Sequence, residues 1–173
     1  MATRKFDGLE GLYTEQLKDV YDAEKQLVQA LPKMAQVATS DDLRRAFEMH
    51  LDETKTHVAR LKEIFDRHNI NPGNKKCEAM QGLVTEGEHA INLRGNNMVR
   101  DAALIAAAQR AEHYEISAYG TLRAYANHLH YGDDKELFQK TIKEEGDADK
   151  KLTDLAEGSL LAEGINEMAL QDK

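Results

Sequence analysis

The chain has 173 residues, 41% hydrophobic and 31% charged, with two prolines and no tryptophan. A chain of this length fits one domain burying roughly 70% of its unfolded surface, and its composition is too polar for a membrane protein and too apolar for a chain that stays disordered. Lys and Arg total 23 against 31 Asp and Glu, a net charge of −8, which repels phosphate backbones and excludes nucleic acid as an expected partner.

The first amphipathic stripe runs Leu9, Leu12, Leu17, Val20, Tyr21, Leu27, Val28, Leu31 and Met34. Its three-and-four spacing predicts a helix over about 8–38, bent at Pro32. Thr39 to Asp42 supply a turn and N-caps, and Leu43, Phe47, Leu51, Val58, Leu61, Ile64 and Phe65 predict a second helix over about 41–69. So short a connection makes the two antiparallel. Asn71-Pro72-Gly73 breaks the chain, and Cys77, Met80, Leu83, Val84 and Ile91 predict a short helix in a crossover, about 76–93. Stripes from Val99 to Leu129 and from Leu137 to Leu155 predict two more long helices, about 98–129 and 133–158, before a short C-terminal tail. Two hairpins joined by one long connection give an all-α, ferritin-like antiparallel four-helix bundle, a single domain spanning 1–173.

The single cysteine, Cys77, has no disulfide partner, the N-terminal residues lack an apolar leader, and no apolar run reaches spanning length. The expected location is the cytoplasm, with no membrane contact.

Each long helix carries ionisable groups where the spacing assigns the interior. The first has Glu24 between Val20 and Leu27, and the second has His50, Glu53 and His57 between Phe47 and Leu61. The third has Gln109 and Glu112 between Ile105 and Ile116, and the fourth has Glu145 and Asp149 between Ile142 and Leu152. At about 1.5 Å per residue, Glu24 and Glu53 fall within about one turn of the same height, as do Glu112 and Glu145. Ala23-Glu24 is echoed by Ala111-Glu112, and Glu53-x-x-x-His57 by Glu145-x-x-x-Asp149, as in the halves of a pseudo-twofold site.

Several carboxylates in an apolar core raise one another's pKa unless cations join them. Two divalent ions would nearly balance Glu24, Glu53, Glu112, Glu145 and Asp149, with His57 as a neutral ligand. Carboxylates with some imidazole suit iron first, with manganese as the alternative. His50, His113 and Glu115 are read chiefly as surface or helix-packing residues, with an orienting role beside the ligands as the alternative. Tyr21 and Tyr114 are read chiefly as core rings, Cys77 as a small buried hydrophobe and Glu144 as exposed.

Tyr21-Asp-Ala-Glu-Lys-Gln-Leu27, His50-Leu-Asp-Glu-Thr54, Arg100-Asp-Ala-Ala-Leu-Ile-Ala-Ala-Ala-Gln109 and Glu112-His-Tyr-Glu115 with Tyr119-Gly-Thr-Leu122 resemble the YciF branch of the bacterial YciE/YciF stress-protein family. The likeness covers nearly the whole chain. It implies a ferritin-like bundle with an extra short helix, a homodimer and a role in stress whose biochemistry is undefined. The wider ferritin-like superfamily places one glutamate on each of two helices and Glu-x-x-His on each of the other two. This chain spaces His57 one residue further and has Asp149 in place of a second histidine. The expected function is that of a non-haem di-iron stress protein that reacts with oxygen or peroxide or oxidises Fe(II). The alternative is a non-enzymatic structural or protein-binding stress protein, and iron storage ranks last.

Overall fold

The computed structural model describes residues 8–159 and 162–171. Helices α1 (Leu9–Val37) and α2 (Asp41–Arg67) form one hairpin, and α4 (Asn97–His128) and α5 (Gly132–Glu157) form the other. The long connection carries α3 (Glu78–Ile91), which lies against α1 and α4 on the outside of the four-helix bundle. Within the bundle α1 packs on α2 and α4, and α5 packs on α2 and α4. Helix α1 continues unbroken through Pro32.

Local chemistry sets the ends. Ser40 caps α2 by accepting from the Leu43 amide, and Asn96 caps α4 by accepting from the amides of Met98 and Val99. Cys77 caps α3 through its sulfur, which accepts from the Met80 amide at 3.4 Å, and the thiol is fully buried. Asp22 on α1 anchors the crossover by accepting from the Cys77 amide at 2.9 Å and from Lys76 at 3.1 Å.

The expected short tail is structured instead. Gly158–Ser159 (β1) pairs antiparallel with Ala162–Glu163 (β2), and a last helix, α6 (Ile165–Gln171), packs on α4 and α5. Ile165 is buried and Met168 packs against the core beside it, an i, i+3 apolar pair that gives even this short helix a face to bury. Gly158 has φ 77°, and a Cβ there would come within 2.4 Å of the Gly164 backbone. Only glycine fits so close an approach.

Two apolar layers fill the bundle. One contains Leu27, Leu31, Met34, Leu43, Phe47, Leu104, Ile105 and Leu152, and the other Tyr13, Leu17, Val20, Leu61, Ile64, Phe65, Tyr119, Leu122 and Phe138. A buried aspartate is tied to each. Asp134 on α5 accepts from Tyr13 of α1 at 2.7 Å, lies 2.6 Å from His68 Nε2 and pairs with Arg67 of α2. Asp101 on α4 accepts from the Thr39 amide at 3.0 Å and the Ser40 amide at 2.7 Å, locking the α1–α2 turn to the second hairpin.

Asp101 is fully buried, so Asp101→Ala leaves two turn amides without their charged acceptor. Hydrogen bonds to a charged group contribute roughly 1.5–3 kcal/mol, so the variant should lose about that much in urea unfolding. An unchanged midpoint would mean that the turn does not depend on this clamp.

Candidate metal centre

Between the two apolar layers lies a polar one. It is built by the interior stripes themselves: Glu24 follows Val20 on α1, His50 and His57 follow Phe47 on α2, Glu112 and Glu115 follow Ala108 on α4, and Glu145 follows Thr141 on α5. The six side chains form two overlapping groups whose possible ligand atoms lie within 4.8 Å of one another. His50, Glu112, Glu115 and Glu145 make one, and Glu24, His57 and Glu145 the other. Glu145 is shared. Its Oε2 lies 3.7 Å from His50 Nε2, and its Oε1 lies 2.9 Å from His57 Nδ1. His50 Nε2 is also 3.2 Å from Glu112 Oε1, and His57 Nδ1 is 3.4 Å from Glu24 Oε1.

All six residues are buried, the most exposed being His50 at 6%. Eight of their polar atoms have no hydrogen-bond partner: Glu24 Oε2, His50 Nε2, His57 Nδ1, Glu112 Oε2, both oxygens of Glu115 and both of Glu145. Buried polar atoms are ordinarily satisfied, and a set left open together marks a place where something else supplies the bonds.

The titration of the metal-free site shows the same frustration. Burial pushes the carboxyls of Glu24, Glu115 and Glu145 up, and for Glu115 the charges of Glu145, Glu24 and Glu112 add to the effect. Burial opposes the charge on both imidazoles, but neighbouring carboxylates outweigh it. Glu112, Glu53 and Glu145 hold His50 well above its ordinary value, and Glu145 and Glu24 push His57 up to about 10.

The surroundings orient the donors. His57 Nε2 donates to Glu144 Oε2 at 3.1 Å, and Glu144 is held in turn by Arg60, which leaves Nδ1 facing Glu24 and Glu145. Glu144 is therefore a half-buried partner of the site, against the exposed position expected for it. The Tyr119 hydroxyl donates to Glu24. His50 Nδ1 is 3.4 Å from Glu53 Oε2, which leaves Nε2 directed inward.

Two of the residues expected as ligands stand outside the cluster. Glu53 is 46% exposed in its side chain and meets the outer nitrogen of His50 at 3.4 Å. Asp149 lies on the flank of α5, where it accepts from Gln109 at 3.1 Å and pairs with His113 at 3.3 Å. On α2 the next residue, Thr54, takes the buried place instead of Glu53, whereas Asp149 keeps three-four spacing with Glu145 and Leu152 but is held at the flank by Gln109 and His113. Conversely His50 and Glu115, read as packing residues, are members. The signal for them was present, because Ile105, Ala108, Glu112, Glu115, Tyr119 and Leu122 alternate by three and four, as do Phe47, His50, Thr54, His57 and Leu61. Tyr21 packs edge-on against Phe65, and Tyr114 donates to Asp19 at 3.0 Å and lies 3.0 Å from Cys77 Sγ, away from the ligand atoms.

The fold and site together define a class: an all-α four-helix bundle with a carboxylate–imidazole layer sealed into its middle. A family described as "Domain of unknown function (DUF892)" matches residues 8–167. Protein YciF of Escherichia coli strain K12 is 44% identical over 149 residues, covering 86% of this chain and 90% of that protein. The crystal structure of the E. coli stress protein YciF superposes with a TM-score of 0.84 at 42% identity, covering 87% of this chain and 95% of that one. YcfI of Rhodopseudomonas palustris superposes at 0.83 with 38% identity, covering 88% and 98%. The chain belongs to this family, in its YciF branch. Among the described residues no helix is long and apolar enough to cross a membrane.

The folded, metal-free chain keeps the His57 proton up to about 10, whereas the unfolded chain loses it near 6.5. The folded state thus binds more protons in that interval and loses stability as pH rises through it; the raised carboxyls act in the same direction above their ordinary range. In chelator, Tm should fall between pH 6.5 and 9.5, and His57→Gln should flatten the slope. A Tm that rises over that interval contradicts the assignment.

Proposed function

We propose that this chain is a non-haem di-iron protein of the ferritin-like type, which reacts with oxygen or peroxide or oxidises Fe(II) under stress. The observation that carries the reading is the set of eight unpartnered buried atoms, converging from four helices on one layer. Four carboxylates carry four negative charges, and two divalent ions bring four positive ones, so the layer becomes neutral with both imidazoles unprotonated. The donors are oxygen with a little nitrogen and no thiolate, a combination that suits iron, with manganese as the alternative. The ferritin-like carboxylate proteins use the same donor types in a bundle core, distributed differently over the helices.

His50, Glu112, Glu115 and Glu145 would hold one ion, and Glu24, His57 and the shared Glu145 the other. A bound iron pair would supply one-electron redox chemistry at a buried site. The chain's own part is to orient and protect. Glu144 fixes the outer proton of His57, Tyr119 fixes Glu24, and the two apolar layers exclude solvent above and below. The negative net charge disfavours DNA as a partner, and the homodimer implied by the family likeness belongs to this reading, with sedimentation as its check.

Near-complete burial of the cluster also favours a second reading, in which the ions only brace a protein-binding scaffold. The two readings part on addition of peroxide to the Fe(II)-loaded protein: a redox site turns over to Fe(III) faster than free Fe(II), and a brace does not.

The chain purified without chelator should hold two equivalents of iron or manganese, and its Tm should rise on reloading, by an amount corresponding to about 4 kcal/mol at a thousandfold excess over Kd. Glu145→Gln should lose both ions because that residue is shared, whereas Asp149→Asn should retain both. Metal analysis after dialysis checks each. Retention of two ions by Glu145→Gln, or a chain that takes up none, overturns the reading.

A further inference from the structure

The layer can be approached from three sides, and they differ in what they admit. On the His57 side Arg60 lies over the site, held to Glu144, and the two paired side chains fill that approach. Beneath α3 an apolar cavity of about 20 Å³, walled by Leu27, Leu31, Met34, Met80 and Ala108, reaches Glu112. Its outer carboxylate, Glu88, is engaged by Lys33 at 3.1 Å, and it has room for little more than one small molecule.

The third side is a cleft of about 380 Å³ between α2 and α5, with Glu112 and His50 at its inner end. It exists because Ala46 and Ala148 present only methyl groups to it from the facing helices. At about 30 Å³ of liquid per water, a hydrated divalent ion fits within it. The wall carboxylates are not equivalent. Asp42 is engaged by Arg45 at 2.8 Å and Asp147 by Lys143 at 2.5 Å, while the exposed Lys151 shares the wall with Asp147 four residues before it. Glu53 has no lysine or arginine partner among the described residues, and its contact is the outer nitrogen of His50 at 3.4 Å. Next inward stand His50 Nε2 and Glu112 Oε2, both buried and both without a hydrogen-bond partner.

We propose that this cleft is the route by which divalent cations load the centre, and that Glu53 is a transient relay: it takes a hydrated ion from solvent and hands it to His50 and Glu112. The inference rests on the metal-binding reading above. It gives Glu53 a role other than that of a resident ligand. The relay carboxylate carries charge where an ion must first shed water, and the permanent ligands lie one step deeper, out of reach of bulk solvent.

The test follows uptake of Co(II) by the full, chelator-stripped chain in stopped flow, with dialysis and metal analysis giving the final stoichiometry. The chain lacks tryptophan, so tyrosine emission reports loading through Tyr119, which touches Glu24. Glu53→Gln keeps an acceptor for His50 and removes the charge, and should slow uptake on the order of tenfold, the lower end of what focused charge contributes to association rates. Ala148→Phe, which narrows the cleft at a position that is not itself a ligand, should also slow it. Both variants should end at the parental stoichiometry, and Glu136→Gln, an equal change of charge at an exposed position of α5 outside the cleft, should load at the parental rate. Parental rates in Glu53→Gln and Ala148→Phe overturn the relay. A lower final stoichiometry in Glu53→Gln also overturns it, by making Glu53 a resident ligand. A parent chain that binds no Co(II), Mn(II) or Fe(II) overturns instead the metal reading on which the relay stands.

Discussion

Four carboxylates and two imidazoles share one layer in the middle of an apolar bundle, and the stability of everything around them depends on how that charge is balanced. An isolated buried carboxylate is expensive, and four together are worse, because each raises the others. Without metal the layer compensates by retaining protons, as the upward shifts of Glu24, Glu115, Glu145 and both histidines show. The rest of the structure reads as support for that layer. Aromatic and aliphatic residues close it above and below, and Asp101 and Asp134 tie the hairpins together in the layers on either side.

Helix α4 shows how sequence serves this arrangement. It is buried on more than one side, since α1, α3, α5 and α6 all pack on it. Ala107, Ala108 and Ala111 let α3 approach closely, while the stripe through Ile105, Glu112, Glu115 and Leu122 faces the bundle interior. The crossover is thus a cover over one side of the site. Arg60 and Glu144 cover the side at His57, and the small residues between α2 and α5 leave the side at His50 open.

Most of the fold is legible because the stripes are long and regular, and the four long helices lie where the spacing puts them to within two residues. The C-terminal segment is not, because its apolar residues are too few to establish a period, and it is the packing of Ile165 and Met168 on the assembled core that orders α6. At the site the spacing is ambiguous. Glu24, Glu112 and Glu145 sit in three-four register with their apolar neighbours. Glu53 stands three residues from His50 and four from His57, and Asp149 four from Glu145 and three from Leu152, so the same spacing admits both. His50 and Glu115 hold the register too, but their residue types are common on surfaces. Burial in the assembled bundle separates the cases: Glu53 is exposed and Asp149 half-buried, while His50 and Glu115 are buried.

The same geometry corrects the idea of a pseudo-twofold site. The α1–α2 hairpin contributes one carboxylate and both imidazoles, and the α4–α5 hairpin contributes three carboxylates. Neither half is self-sufficient. The first has too little negative charge to hold two divalent ions, and the second, buried alone, would carry three like charges with no counter-charge. The halves complement each other in charge as they do in shape, and the charge contact of 2.9 Å from Glu145 to His57 across the bundle helps to fix their register. On the metal-binding proposal, donors divided in this way would make ion binding and hairpin docking one equilibrium: an ion that bridged the halves would stabilise the docked bundle, and a docked bundle is what brings Glu145 between the two histidines.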